Sequence, residues 1–245
     1  MKSQSLFCFG HRGAGGHEPE NTLRSMRRAL ELGADGVEVD VHFVDGQLVV
    51  IHDDTLERTT NGHGRVAEKS FACLRSLDAG LGEKIPTLAE IFDAVIRRVV
   101  INVELKGLHT AAPVAALIGD YVNRRGWSFD DFLVSSFDHA QLGEVKLLFP
   151  QIRLGALFEK PPHDLAKFAD ELGAWSLHIS RRYVTPELVA EAHRCGLKVF
   201  VFTINQPAEI IRMKILGVDG VFSDFPEIVA GCAAAAGLED KPPAS

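Results

Sequence analysis

The first 53 residues contain two histidines, an arginine and two closely spaced carboxylates where strands are expected to end. His11 and Arg12 follow one short apolar run, and His52 follows another. Glu38 and Asp40 are two positions apart, so in a strand their side chains point to the same face. Histidine titrates near neutral pH and transfers protons, whereas arginine binds phosphate oxygens. This combination indicates metal-assisted phosphate chemistry.

A second polar group repeats the spacing of two at Asn102, Glu104 and Lys106. Together with Glu38 and Asp40, Glu104 forms a set of hard oxygen donors without a thiolate. Such donors favour Mg²⁺ or Ca²⁺ over zinc. The alternative is a salt-bridge network in which Lys106 pairs with Glu104. Clustered like charges are costly unless a cation offsets them, which favours the metal site.

His11 and His52 are candidates for general acid and base, because two histidines beside one carboxylate cluster exceed what a structural role requires. Arg12 and Lys106 would hold and neutralise an anionic group. The alternative for Arg12 is a surface ion pair. Of the other histidines, only His178 is expected to face the same end of the strands. The sequence has no G-x-S-x-G motif, which leaves acyl transfer without support.

Composition limits the possible partners. The chain has 245 residues and 46% hydrophobic content, which predicts a single domain over 1–245. Its formal net charge is -7. An acidic chain without a basic stripe is a poor nucleic-acid binder, and no apolar run is long enough for stable membrane insertion. The cysteines lie far apart among apolar neighbours, so we expect buried, reduced thiols in a cytoplasmic protein. The oligomeric state stays open.

Eight short apolar runs alternate with eight amphipathic stretches. This alternation predicts parallel strands closed into a TIM (β/α)8 barrel, with an open doubly wound sheet as the alternative. We expect strands at 6–10, 36–42, 99–106, 132–137, 153–158, 176–181, 198–203 and 220–224. We expect helices at 21–32, 87–98, 110–125, 139–149, 164–172, 186–195, 207–216 and 226–236. Asn21 is expected to cap the first helix, and Thr185 with Pro186 to begin the sixth.

The run 47–52 follows the second strand too closely for a parallel crossover, and its Asp45-Gly46 dipeptide predicts a hairpin. With a three-residue loop, Glu38 would lie directly opposite His52. Residues 53–85 lack the strand–helix rhythm and are predicted to form a small insertion over the barrel mouth. The segment 237–245 is expected to be flexible.

Taken together, these motifs resemble the glycerophosphodiester phosphodiesterase family. They are His-Arg-Gly at 11–13, Pro-Glu-Asn-Thr at 19–22, Glu-x-Asp-Val at 38–41, Val-Val-x-His-Asp at 49–53 and Asn-x-Glu-Leu-Lys at 102–106. Weaker matches continue to Ser223-Asp224. Apart from this resemblance, Pro-Glu-Asn-Thr is adequately explained by helix initiation.

The resemblance implies a closed barrel with a divalent metal and a small-molecule substrate, a glycerophosphodiester, cleaved to an alcohol and glycerol 3-phosphate. It implies that Glu38, Asp40 and Glu104 bind the metal. His11 and His52 would then be the acid/base pair, with Arg12 and Lys106 contacting the phosphate. The family often has tryptophan where Phe202 stands, so Phe202 is expected to line the substrate side of the mouth, and the preferred alcohol stays open.

Two alternative functions remain at this point. Apolar surface in the insertion, from Phe71 and Leu74, would favour a lysophospholipase D acting on lipid-tailed diesters. A barrel that binds phosphodiesters without cleaving them would be expected to lack a histidine or a carboxylate of the set, and none is missing.

Overall fold

The computed structural model describes residues 6–236. The segment 237–245, which the sequence predicts to be flexible, lies outside the described residues. The strands are β1 (Phe7–Gly10), β2 (Gly36–Val44), β3 (Gln47–Val50), β4 (Val100–Leu105), β5 (Phe132–Ser136), β6 (Arg153–Phe158), β7 (Ser176–Ser180), β8 (Lys198–Phe202) and β9 (Gly220–Ser223). The helices are α1 (Leu23–Glu31), α2 (Phe71–Ser76), α3 (Leu88–Val95), α4 (Ala111–Arg125), α5 (His139–Leu148), α6 (Leu165–Leu172), α7 (Pro186–Arg194), α8 (Pro207–Leu216) and α9 (Pro226–Ala236).

Eight of the strands form a closed parallel barrel. The sheet runs from β1 through β9, β8, β7, β6, β5 and β4 to β2, and β1 also pairs with β2. This closure confirms the TIM barrel and excludes the open sheet. The ninth strand, β3, is antiparallel and pairs only with β2 among the described strands.

The period of two along each strand separates the outer core from the site. Val37, Val39 and Val41 face outward and are buried in the main core cluster with residues of the surrounding helices. Glu38 and Asp40, which alternate with them, are buried toward the barrel interior. A separate cluster of buried apolar residues comprises Phe9, Leu133, Phe200 and Phe222.

The hairpin exists, but its predicted register is wrong by one residue. Val44 pairs with Gln47, so the turn has two residues, and Asp45 and Gly46 both have positive φ, 53° and 75°. This is the type I′ conformation, whose twist matches that of the flanking strands better than the expected bulge would. The ladder ends where the Ile51 N–H donates to the Asp40 carbonyl, at 3.0 Å. His52 therefore lies beyond the strand and is not paired with Glu38.

The insertion has a small core of its own. Leu56, Val66, Leu74 and Ile85 are buried with residues of the β2–β3 hairpin, and Phe71 packs against them. The apolar side of α2 is therefore covered and does not line the mouth as an exposed surface.

Local signals succeeded at α7 and failed at α1. Thr185 caps α7 with Pro186 in its first turn, as predicted. The cap of α1 is Thr22, whose side chain accepts a hydrogen bond from the Ser25 N–H at 3.1 Å, so the prediction for Asn21 is wrong. Asn21 has φ of 60° and a buried side chain.

The expectation for the thiols holds only in part. The cysteines are free, but Cys8 alone among them is buried; Cys73 is exposed, and Cys195 and Cys232 are half-buried. Burial raises the pKa of Cys8 to about 12. Across residues 6–236, the helices are too short or too polar to cross a lipid bilayer.

Candidate active site

A cavity of about 330 Å³ opens at the carboxyl ends of the barrel strands, where active sites of this fold lie. It brings together seven of the eight predicted site residues: His11, Arg12, Glu38, His52, Glu104, Lys106 and Phe202. The eighth, Asp40, lies beside Glu38 and Glu104, so the structure assembles the whole predicted set.

Glu38, Asp40 and Glu104 each offer an oxygen, and these three atoms lie within 4.8 Å of one another. Burial raises the pKa of Glu38 well above its usual range, and the charges of Asp40 and Glu104 raise it further. Burial and Asp40 also raise the pKa of Glu104. Within residues 6–236, Glu38 Oε1 is buried without a hydrogen-bond partner. Three crowded carboxylate oxygens, two of them from glutamates whose pKa is raised, are a donor set that fits a hard divalent cation.

Lys106 forms the ion pair with Glu104 that the salt-bridge alternative requires, at 3.0 Å. Arg12 Nε lies 3.5 Å from Asp40 Oδ2 and supplies a second positive charge. Two cations face three carboxylates here, and Arg12 also pairs with Glu20. The network therefore leaves negative charge uncompensated, which is compatible with a metal site.

Arg12 is held by its backbone as well as by its side chain. Its φ is 53°, its N–H donates to Glu38 Oε2 at 2.8 Å, and its carbonyl accepts from the Ser25 hydroxyl at 2.8 Å. Gly13 makes this turn possible, because at its φ of 84° a Cβ would lie 2.4 Å from Ser25 Oγ. Although burial acts to lower it, the pKa of Arg12 is raised by Asp40 and Glu20. The guanidinium is thus a fixed, permanently charged group at the cavity.

The two histidines are oriented in the same way. His11 Nδ1 lies 2.7 Å from Asp224 Oδ1, and His52 Nδ1 lies 2.6 Å from Asp53 Oδ1. An ionised carboxylate can only accept, so Nδ1 carries the proton in each neutral ring. Each Nε2 is then left to exchange a proton with a bound substrate.

The surroundings shift the pKa of at least one member of each pair. Burial lowers the pKa of His52, which favours the neutral ring. Although burial acts to raise it, the pKa of Asp224 is lowered by its hydrogen bond with His11. Asn205 Nδ2 also donates to Asp224 Oδ2, at 2.6 Å.

Aromatic side chains form part of the outer wall. The rings of Phe137 and Phe202 are nearly perpendicular, with centroids 6.1 Å apart, and the carboxylate of Glu159 also lines the cavity. Phe202 thus lines the cavity at its mouth, and its place beside a substrate stays a prediction.

The deeper lining is polar but uncharged. Asn102 Nδ2 donates to Ser135 Oγ at 3.0 Å, and His178 Nε2 lies 2.9 Å from Ser176 Oγ. Complete burial lowers the pKa of His178 to about 3, so this ring is neutral. His178 does face the cavity, as expected for its strand.

Several residues around the site were not predicted as functional. Glu20 and Asn21 were attributed to helix initiation, yet Glu20 binds Arg12, and Asn21 Nδ2 donates to Asp40 Oδ2 at 2.9 Å. For Glu20 and Asn21 the only sequence signal was the Pro-Glu-Asn-Thr motif. No motif singled out Arg58. The set that supports the predicted residues is Glu20, Asn21, Asp53, Arg58, Asn205 and Asp224.

Comparison with known proteins agrees with this geometry. Residues 11–228 match the model of the glycerophosphoryl diester phosphodiesterase family. The chain belongs to this family. A glycerophosphodiester phosphodiesterase of Caldanaerobacter subterraneus is 36% identical to it, with coverage of 89% of this chain and 94% of that protein. One from Bacillus altitudinis is 37% identical, with the same coverage.

A solved structure of the family extends the likeness to three dimensions. It is an Oleispira antarctica phosphodiesterase in complex with the product sn-glycerol-3-phosphate, 32% identical, with a TM-score of 0.87. The alignment covers 94% of this chain and 97% of that one. Membership in the glycerophosphoryl diester phosphodiesterase family confirms both the resemblance seen in the sequence motifs and the expected class of enzyme, a phosphodiesterase.

Proposed function

We propose that the chain, acting as a single catalytic domain, hydrolyses glycerophosphodiesters to an alcohol and sn-glycerol 3-phosphate. One observation carries the proposal: two histidines, each oriented by an aspartate, share a cavity with three clustered carboxylates. The product bound to the Oleispira relative supports the choice of substrate class.

Glu38, Asp40 and Glu104 would hold one Mg²⁺ or Ca²⁺. Their oxygens lie close enough together for one ion, and burial together with the neighbouring carboxylates raises the pKa values of Glu38 and Glu104, which supports a site for a cation. When bound, a divalent cation polarises a phosphoryl oxygen and offsets the charge that develops at phosphorus.

Arg12 and Lys106 would contact the phosphodiester itself. Both line the cavity beside the carboxylates, and both remain charged: the pKa of Lys106, which burial acts to lower, is raised by Glu104 and Asp40. A planar guanidinium can bind two phosphate oxygens at once, while the ammonium acts as a point charge. Together they would orient the phosphorus for attack.

His11 and His52 would supply the proton transfers. One ring accepts the proton of the attacking oxygen, which belongs to water or to the neighbouring glycerol hydroxyl, as the new bond to phosphorus forms. The other ring, which enters this step protonated on both nitrogens, donates its Nε2 proton to the leaving alcohol as the bond from that alcohol to phosphorus breaks. Asp224 and Asp53 stabilise whichever ring is positively charged at each stage. For a cyclic intermediate, water then opens the ring with the proton roles reversed.

The lipid-tailed alternative loses its main argument in the fold. Leu74 is fully buried and Phe71 packs against the insertion core, so neither offers the apolar surface that a lysophospholipid tail requires. We therefore propose a short polar head group as the leaving alcohol, with Phe202 beside the substrate.

The decisive assay measures release of sn-glycerol 3-phosphate from glycerophosphocholine, with lysophosphatidylcholine as the competing substrate. We expect release from the first, loss of release in EDTA, and recovery on adding Mg²⁺ or Ca²⁺. No release from any glycerophosphodiester in either metal would overturn the proposed function. Full activity after rigorous chelation would overturn its metal dependence, and faster cleavage of the lysophospholipid would favour the alternative.

A further inference from the structure

Arg58, in the insertion, binds two carboxylates with both edges of its guanidinium. Its Nε and Nη2 lie 2.6 and 2.8 Å from the two oxygens of Asp53. Its Nη1 and Nη2 lie 2.7 and 2.9 Å from the two oxygens of Glu20. These four contacts satisfy every donor direction that a planar guanidinium presents at those edges.

Both partners of Arg58 contact side chains that line the cavity. Asp53 Oδ1 is 2.6 Å from His52 Nδ1, and Glu20 Oε1 is 2.7 Å from Arg12 Nη1. One guanidinium outside the cavity therefore connects, each through a single carboxylate, two groups that the proposed function assigns to proton transfer and to phosphate binding.

We propose that Arg58 is a positioning residue that holds His52 and Arg12 in register with each other. The inference rests on the proposed function for the roles of those two groups, but its geometry is independent of it. Without Arg58, the carboxylates of Asp53 and Glu20 would face each other as like charges and would no longer share a partner. His52 and Arg12 would then rotate independently.

The loop that carries Arg58 is itself anchored. Leu56, two positions earlier, is buried in the insertion core, and its carbonyl accepts hydrogen bonds from the Thr60 N–H and hydroxyl at 3.1 and 2.7 Å. Asn61 exchanges two hydrogen bonds with Asp78, of 3.0 and 2.9 Å. These hydrogen bonds hold the turn that carries Arg58, so the insertion takes part in orienting groups at the site.

Charge alone does not explain the arrangement. Hydrogen bonds from Arg58 lower the pKa of Asp53, which keeps that carboxylate ionised and therefore able to accept a hydrogen bond from His52 Nδ1. Lysine would carry the same charge but cannot form four planar contacts to two carboxylates. The side chain of Arg58 is 47% exposed, so its replacement leaves no buried cavity and the fold should survive.

The test compares Arg58→Met and Arg58→Lys with a control, Arg65→Met, an exposed arginine of the same insertion. Steady-state hydrolysis of glycerophosphocholine is measured at saturating Mg²⁺ or Ca²⁺, together with Tm and the metal Kd. We expect kcat to fall about 10–100-fold in Arg58→Met, the usual effect of losing a group that orients a site residue. Arg58→Lys should remain impaired, Arg65→Met should match the wild type, and Tm and the metal Kd should be unchanged.

A second measurement does not need turnover. The ¹⁵N signals of the His52 ring report whether Nδ1 carries the proton, and calorimetry reports the affinity for sn-glycerol 3-phosphate. We expect Arg58→Met to lose the Nδ1–H preference of His52 and to bind the product more weakly. Wild-type values in both measurements would overturn the proposal, as would a wild-type kcat or a rate loss that follows unfolding. An inactive wild-type protein would refute the proposed function instead.

Discussion

Asp224 accepts a 2.7 Å hydrogen bond from Nδ1 of His11, across 213 positions of sequence. The same contact joins His52 to Asp53, its immediate neighbour in the chain. One pair is built by barrel closure, because β9 lies beside β1, and the other is local. Both leave Nε2 free of the aspartate, so the cavity is lined by two rings in the orientation that the proposed acid/base roles require.

Asp224→Asn should lower kcat about 10–100-fold, because an amide can donate to His11 Nδ1 and so favour the wrong tautomer. The matched control is Asp219→Asn. Asp219 also binds a histidine, His193 at 2.8 Å, but outside the cavity. Its replacement should affect stability and leave kcat per folded molecule unchanged. Equal rate losses in the two variants would contradict an orienting role for Asp224.

His11→Ala and His52→Ala should each lower turnover by about 10²–10⁴, which is the usual contribution of acid/base catalysis. Neither ring belongs to an apolar core cluster, so Tm should change little. Rates for glycerophosphocholine, with His193→Ala as the control, measure the effect. Near-wild-type turnover in both variants would refute the acid/base assignment.

Metal binding should stabilise the fold as well as support turnover. A ligand at 100 times its Kd contributes about 2.7 kcal/mol to the free energy of unfolding, which corresponds to roughly 5–10 °C in Tm for a chain of this size. Thermal unfolding with EDTA and with Mg²⁺ or Ca²⁺ measures the shift. Glu38→Gln should lose most of this response; a shift that survives in that variant would place the ion elsewhere.

His178 should make the protein sensitive to acid. Its folded pKa of about 3 lies below the unfolded value of 6.5, so below pH 6.5 the unfolded state takes up a proton that the native state does not. Stability therefore falls as the pH drops from 6.5 toward 3, by about 1.4 kcal/mol for each unit.

Urea unfolding at pH 7 and pH 5 tests this effect. Between these two values the wild type should lose about 2 kcal/mol more stability than His178→Gln. The buried glutamates at the site act in the opposite direction, because their raised pKa values make protonation favour the native state, but they are common to both proteins and cancel in the comparison. An equal acid response in the two proteins would show that His178 is already charged when folded.

Much of the site was predictable because backbone periodicity alone determines the face on which a side chain lies. Glu38 and Asp40 share a strand face, as do Asn102 and Glu104, whatever the tertiary arrangement. Eight strand–helix units then predict a closed barrel, because closure is the arrangement that buries every strand. The carboxylate cluster and its cavity follow from these two facts.

Predictions from local sequence patterns failed where the same residues are compatible with two local conformations. The Asp45-Gly46 turn suits both a three-residue and a two-residue loop, and strand twist decides between them. Asn21 is a good helix cap by type, but Thr22 serves equally well and frees Asn21 to bind Asp40. Phe71 and Leu74 are apolar in any structure, and only packing shows that they are covered.

The sequence by itself determined the fold and predicted the candidate metal ligands and proton-transfer groups, since these depend on periodicity and on the chemistry of each side chain. The tertiary structure decided which groups orient them. Asp224 reaches His11 only because the last strand closes against the first, and Arg58 reaches Glu20 only because the insertion folds back beside the first loop. Such contacts are set by distances between segments far apart in the chain, and no local pattern encodes a distance.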